Sequence, residues 1–338
     1  MLNNKPKVSI VLAAYNAEAH LKECIDSILC QSFSDFELLI YNDGSADRTK
    51  EIIESYKDNR IKATHLIENK GVVYCSNLGI KDALGEYIAK TDADDVSLLD
   101  RLKLQVAFLD KNPHIGLLGA QLKILGTNEI IQKPIEDEDI RWWFFKGCPV
   151  PQPTAIFRSS VVKEHNLYYD SDFKSAEDIE YWIQLAKVTN LSNLAVPTLA
   201  YRVHQSQEST ANIKRQDFYR DKSLNSFFDW LGIESGEISL TFANHLFSDL
   251  IDYTSLNTIK VNRFFESLNS KNAISFFGKA DIKKKQIEIL NRFLSNLLDF
   301  HPRLFLINPF IVFKSVNASP IQFSILYFKC LLFWKTRK

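Results

Sequence analysis

Two hydrophobic periods alternate along the first hundred residues. Short runs of consecutive apolar and β-branched residues read as buried strands at Val8–Leu12, Phe36–Tyr41, Ile61–Leu66 and Tyr87–Lys90. Between them apolar residues recur at helical spacing. Leu21, Cys24, Ile25, Ile28 and Leu29 do so within Glu18–Cys30, and Arg48–Tyr56 and Val72–Leu84 follow suit. Such alternation implies right-handed βαβ units and a parallel sheet covered on both faces.

Ligands of such sheets bind beyond the carboxyl ends of the strands. Two acidic turns fall there, Asn42-Asp43-Gly44-Ser45 and Thr91-Asp92-Ala93-Asp94-Asp95. Either alone reads equally well as ordinary turn chemistry or a solvated helix start. Their joint placement on strand ends makes them candidate chemistry.

From Pro113 to His204 the pattern is mixed. Strand material is expected at Ile115–Leu125 and Thr154–Phe157, and an aromatic cluster at Trp142–Phe145. A helix opens at Ala176-Glu177-Asp178, where first-turn acids suit the helix dipole. Trp182 lies on its apolar face and reads as core, whereas Trp142 and Trp143 suit either core or a sugar-stacking surface. Beyond about residue 211 the strand pattern fades. Phe218–Trp230, Leu240–Tyr253, Val261–Leu268 and Lys283–Leu298 read as amphipathic helices.

Composition narrows the classes. The 338 residues are 46% hydrophobic, enough for a sizeable core, and the formal net charge is zero, which argues against a nucleic-acid partner bound through bulk positive charge. The five cysteines are scattered and contain no CxxC pair, so neither a zinc site nor a disulfide framework is expected. The N-terminus lacks the pattern of a signal peptide, and no run of about 18 apolar residues exists, so the expected compartment is cytoplasmic.

Glycine-rich phosphate cradles are missing as well: there is no GxGxxG after a strand and no GxxxxGK[ST], GxSxG or HExxH. Carboxylates are offered instead, and they hold a phosphate only through a divalent cation. The Asp92-Ala93-Asp94 spacing at a strand end suits Mg²⁺ or Mn²⁺, which would stabilise a departing nucleoside diphosphate.

An ordered set of stretches then carries a resemblance. These are Val8–Asn16, Ser27–Phe33, Asn42–Asp47, Asn69–Gly71, Asn77–Gly79, Thr91–Asp95, Glu177-Asp178 and Tyr201–His204. Over residues 7 to about 210 the chain resembles family 2 of the glycosyltransferases, metal-dependent inverting hexosyltransferases with the GT-A fold, an α/β Rossmann-like nucleotide-diphospho-sugar transferase domain. The resemblance implies a role for each matching residue. Asp43 would accept a hydrogen bond from a uracil ring, with Ala13, Tyr15 and Asn16 lining the base pocket. Asn77 would also face the donor. Asp92 would face the ribose, and Asp94 would ligate Mn²⁺ or Mg²⁺ between the phosphates. Asp178 would be the general base, with Glu177 orienting it or the acceptor. His204 would touch the diphosphate or complete the metal shell, its other reading being a surface or capping histidine, and Arg202 shares that ambiguity. Two positions depart from the family pattern. Asn42 stands where many members have aspartate, and Ser76 precedes Asn77 where an arginine is common.

The expected organisation is a GT-A domain over residues 1–210, divided into a nucleotide-sugar half (1–110) and an acceptor half (111–210). A helical appendage (211–300) and a basic, aromatic tail (301–338) follow. The tail contains no acidic residue, is nearly continuously apolar over Phe323–Trp334, and ends Lys-Thr-Arg-Lys. That composition favours peripheral contact with the inner face of an anionic membrane, the other reading being a helix packed on the catalytic domain. The expected partners are a UDP-sugar donor and a glycan or lipid-linked oligosaccharide acceptor of surface polysaccharide synthesis, with no nucleic acid. A sugar-1-phosphate nucleotidyltransferase would want a glycine-rich loop where Ala13-Ala14-Tyr15-Asn16 stands, and a non-catalytic nucleotide-sugar-binding protein is opposed by the intact Asp94 and Asp178.

Overall fold

In a computed structural model of the chain, the strand β1 (Val8–Ala14) lies between β2 (Phe36–Asn42) and β4 (Tyr87–Asp92), parallel to both. The structure describes residues 5–204, 207, 212–233, 246–247 and 258–300. β1 and β2 are buried along almost their whole length, which is why they read as unbroken apolar runs rather than alternating ones. β3 (Ile61–His65) is the exposed edge beyond β2, again parallel.

Helices α1 (Leu21–Leu29), α2 (Thr49–Ser55) and α3 (Val72–Asp82) supply the crossovers. α3 lies close against β1 because Gly79 has no side chain: a Cβ there would meet Val11 Cγ1 at 2.3 Å.

The sheet continues beyond β4 in a different style. It includes β5 (Val96–Ser97), β6 (Ile115–Ile124), β7 (Ile130–Ile131), β8 (Ile156–Arg158) and β9 (Asn190–Tyr201). Among the described residues the spatial order is β3-β2-β1-β4-β8-β6-β9-β5, with β7 hanging on β6. The parallel order β3-β2-β1-β4 is the one the alternation of the first hundred residues predicts, and beyond it β8 runs antiparallel to both β4 and β6, so the whole sheet is mixed. After β7 the chain passes through a helix at Asp137–Trp143 and a single 3-10 turn at Gln152–Thr154 before entering β8.

Helices α4 (Arg101–Lys111), α5 (Asp137–Trp143), α6 (Ser159–His165) and α7 (Glu177–Ala186) complete this half. Trp182 is fully buried, as its place on the apolar face of α7 predicts, and Trp142 is also core.

The chain divides into two compact units, Met1–Leu224 and Asn225–Lys338. The division falls inside α8 (Ile213–Leu231). In the second unit, α9 (Thr258–Ser267), α10 (Lys271–Phe277) and α11 (Lys279–Phe300) are described. Their core is aromatic: Phe227, Phe264, Phe265, Phe276 and Phe277 are all buried, and Phe227 meets Phe276 edge to face at 5.1 Å. The Ser270 hydroxyl caps α10, accepting from Ala273 N at 3.0 Å. The helix expected at Leu240–Tyr253 is described only at residues 246–247, and the tail 301–338 lies outside the described residues. Among the described residues, no helix is long and apolar enough to cross a membrane.

Candidate active site

Strand register sets the site. Ala13 on β1 stands level with Tyr41 on β2 and Asp92 on β4, so three carboxyl-terminal strand ends form one shelf. On one side of the shelf the chain leaves β2 through Asp43, whose carboxylate is held by main chain. Oδ1 accepts from Lys70 N at 2.7 Å and Oδ2 from Gly71 N at 2.8 Å. The turn is tied to β1 by Asp43 N donating to Ala14 O at 2.9 Å. Asn16, in the left-handed region at φ 47°, completes the stitching. Its N–H donates to Ser45 Oγ at 3.0 Å, and its Oδ1 accepts from Ala46 N at 2.9 Å. Tyr15 beside it presents an exposed ring. Ala13, Tyr15, Asn16 and Asp43, expected together from the resemblance, lie on one corner of the sheet.

The acidic turn after β4 forms the next part. Burial and the neighbouring Asp94 push the Asp92 carboxyl up to about 7. Asp95 is buried and pushed up to about 8 by burial and Asp92. Its Oδ1 accepts from Arg202 N at 2.8 Å, and its Oδ2 is buried without a hydrogen-bond partner among the described residues. Asp94 points the other way, and its Oδ2 stands 2.9 Å from His204 Nε2. Arg202, open between two readings in the sequence, is a clamp on this turn. Its Nε donates to the Asp94 carbonyl at 2.8 Å, and a terminal nitrogen pairs with Glu23. β9 delivers both residues by pairing with β5 at its end, Val96 opposite Ala200. Behind the turn, the buried Arg101 guanidinium donates to the Lys90 carbonyl at 2.5 Å and to Ser97 Oγ at 3.1 Å.

The third part comes from α7. Ala176 precedes it in the left-handed region at φ 52°, a conformation costing a non-glycine residue about 1 kcal/mol or more. This strained entry presents Glu177 and Asp178. Burial, with Asp178 beside it, raises Glu177 to about 7, and Gln152 Nε2 donates to its Oε1 at 3.3 Å. Asp178 is raised by burial against the hydrogen bonds it receives. Its Oδ2 accepts from the Cys148 thiol at 3.2 Å, and its Oδ1 from Ile179 N at 2.9 Å. Asp92 lies within electrostatic reach of both α7 carboxylates, so the strand end and the helix start share one space.

Asn77, expected to face the donor, has its amide engaged with main chain. Nδ2 donates to Tyr169 O at 2.9 Å and Oδ1 accepts from Tyr169 N at 2.9 Å. It thereby pins the loop carrying Tyr169, whose ring stacks on Tyr181 at 4.0 Å.

Several residues here were not singled out in the sequence. His20, half-buried at the start of α1, meets the His204 ring at 5.4 Å. Cys148 has no local pattern to mark it. Lys90 carries one: a cation within an otherwise uncharged, buried strand, Tyr87–Thr91.

The donor set at Asp94 and His204 fits a hard divalent cation, a carboxylate oxygen beside an imidazole nitrogen. Among the described residues, no group of three or more histidine, cysteine or acidic side chains is arranged to hold an ion. Two protein ligands suffice for Mg²⁺ or Mn²⁺, which retain water and take phosphate oxygens.

The comparisons agree with this architecture. Residues 9–165 match the sequence profile of glycosyl transferase family 2. An uncharacterized glycosyltransferase of Haemophilus influenzae is 32% identical over 223 residues, covering 62% of this chain and 69% of that protein. UDP-Glc:alpha-D-GlcNAc-diphosphoundecaprenol beta-1,3-glucosyltransferase WfgD of Escherichia coli is 27% identical over 214 residues, 63% of this chain and 83% of its own. Among solved structures, S. aureus TarS 1–349 in complex with UDP-GlcNAc superposes with a TM-score of 0.57 at 23% identity, over 86% of this chain and 81% of that one. The shared fold is GT-A. With the profile match and the Haemophilus relative, the chain belongs to glycosyltransferase family 2 and is a glycosyltransferase.

Proposed function

We propose that the protein transfers a hexose from a UDP-sugar to a hydroxyl of a glycan acceptor, with inversion at the anomeric carbon and with help from Mn²⁺ or Mg²⁺. One observation supports this reading above others: Asp92 at the end of β4 shares its space with Glu177 and Asp178, while its neighbour Asp94 faces His204. A donor-side pair and an acceptor-side pair thus flank one cleft.

In this reading Asp43 and the Ala13–Asn16 segment receive the base, and Asp92 receives the ribose. Asp94 and His204 hold the cation, which when bound neutralises the departing diphosphate. Asp178 takes the proton of the attacking hydroxyl, and burial, by raising its pKa, makes its carboxylate a stronger base. Glu177 orients Asp178 or the acceptor. Attack from the face opposite the diphosphate inverts the anomeric centre. Asn77 acts by holding Tyr169 in place.

UDP as the nucleotide is supported by the UDP-GlcNAc bound in the TarS complex, and a lipid-linked acceptor by the diphosphoundecaprenol-linked acceptor of WfgD. For such an acceptor the basic, aromatic tail would lie on an anionic leaflet. Removing residues 301–338 should then release the protein from vesicles while donor hydrolysis persists.

The test is a thermal-shift panel of UDP-, GDP- and dTDP-sugars with Mn²⁺, followed by transfer assays of Asp178→Asn. The expected result is stabilisation by UDP-sugars, with transfer lost and donor binding kept in the variant. Unchanged turnover in Asp178→Asn would remove the base assignment.

A further inference from the structure

Residues 148–152 run as a strap past the start of α7, and their main chain is pinned from four directions. The Cys148 carbonyl accepts from Lys133 Nζ at 2.9 Å, and the Pro149 carbonyl from Asn193 Nδ2 at 3.1 Å. The Val150 carbonyl accepts from Trp182 Nε1 at 3.0 Å, and the Pro151 carbonyl from Thr154 Oγ1 at 2.9 Å. Pro149, Val150 and Pro151 are buried, so each of these bonds replaces water that the strap has lost. A stretch outside helix and strand is thereby held as firmly as either.

Two side chains of this strap reach the acids of α7, one each. Cys148 Sγ donates to Asp178 Oδ2 at 3.2 Å, and Gln152 Nε2 donates to Glu177 Oε1 at 3.3 Å. The Gln152 amide is oriented from its other end, because the Tyr169 hydroxyl donates to its Oε1 at 3.3 Å and leaves the NH₂ for Glu177. The Cys148 thiol has one proton and two acceptors, Asp178 Oδ2 and the Val150 carbonyl at 3.0 Å. An ionised carboxylate is the stronger acceptor of the two. Once Asp178 carries a proton, the thiol can turn to Val150 while its sulfur accepts from the new O–H. One side chain thus serves both states of the acid.

We propose that Cys148 and Gln152 are positioning residues of the transfer reaction: they hold the adjacent carboxylates of Asp178 and Glu177 on separate donors, so that the attacking hydroxyl meets one defined base. Neighbouring carboxylates without such donors relax by sharing a proton, which blunts either as a base. This rests on the assignment of Asp178 as the base made above.

The experiment removes each donor in turn. Full-length wild type, Asp178→Asn, Cys148→Ala, Cys148→Ser and Gln152→Met are compared by UDP release, with Mn²⁺ and the UDP-sugar that most stabilises wild type. Expected are a kcat at least fivefold lower for Cys148→Ala and for Gln152→Met, with donor KM within twofold of wild type. Cys148→Ser, whose hydroxyl is again a donor, should keep kcat within threefold. A smaller loss in either of the first two overturns the proposal, as does Cys148→Ser no better than Cys148→Ala. A donor KM that rises as far as kcat falls marks general damage to the cleft and also overturns it. Should Cys148→Ala not fold, infrared spectra decide: the S–H stretching band of Cys148, isolated by subtracting the Cys148→Ser spectrum, should shift in Asp178→Asn, and an unmoved band overturns the contact. A wild type that turns over no UDP-sugar, or an Asp178→Asn variant as active as wild type, sinks the base assignment and this proposal together. An inactive Asp178→Asn beside unaffected Cys148 and Gln152 variants sinks only this one.

Discussion

Asp94 Oδ2 and His204 Nε2 stand 2.9 Å apart although 110 residues separate them in the chain. The acidic turn is fixed from behind by Arg101 and from the front by Arg202, so this pair is preset rather than assembled by a ligand.

Asp94→Ala should abolish the Mn²⁺-dependent part of UDP binding, and His204→Ala should weaken it by about 10–100-fold. A metal response in Asp94→Ala equal to wild type would refute the assignment.

Glu177 sets a stability trend of definite sign. Its folded pKa, about 7, lies above the ordinary 4.5, so the fold holds this proton more tightly than the unfolded chain does. Its contribution is complete below the ordinary value and is lost as pH rises through about 7. Glu177→Gln stays neutral throughout. In metal-free buffer its Tm should match wild type near about pH 4 and exceed it by a few degrees at about pH 8.5. Equal melting curves at both pH values would remove Glu177 as the source.

Asn77→Ala leaves both main-chain groups of Tyr169 without their amide partner. The expected cost is about 1–3 kcal/mol, read as a lower urea midpoint with unchanged slope. Transfer activity should fall with it, because Tyr169 lies under Lys90 and donates to Gln152 Oε1 at 3.3 Å.

Gly44 follows Asp43 at φ 67°, and a Cβ there would meet the Glu68 carbonyl carbon at 2.5 Å. Gly44→Ala should destabilise by about 1–3 kcal/mol and weaken nucleotide binding as Asp43 is displaced. Nucleotide affinity equal to wild type in this variant would separate Asp43 from the base pocket.

The nucleotide half was legible because its strands are apolar on both faces and its turns carry Gly44 and the acidic run, features written locally in the sequence. α4 was not, since Arg101 and Gln105 occupy buried positions and interrupt the apolar stripe. β9 was obscured the same way: Ser192, Asn193 and Thr198 are buried where a strand pattern wants apolar side chains. The antiparallel β8, three residues long, follows from where Pro151 and the 3-10 turn send the chain, not from any period. At the site, Asp43, Asp92 and Asp94 stood out by their joint placement on strand ends, whereas Asp178 reads as an ordinary helix start and stood out only through the family resemblance. Cys148, His20 and Gln152 meet Asp178, His204 and Glu177 respectively, through contacts distant in sequence that no local spacing encodes.

β9 pairs with β5 at the very end of its run, and Arg202 and His204 follow immediately. During synthesis, β1 and β2 emerge and can pair early, but the clamp on the acidic turn waits until residue 204 has cleared the ribosome. A nascent chain that stops short of residue 204 therefore carries the corner at Asp43 without the Arg202 and His204 contacts to the acidic turn. Closure of the acidic turn is thus a late event in assembling this sheet, set by the order in which its strands are made.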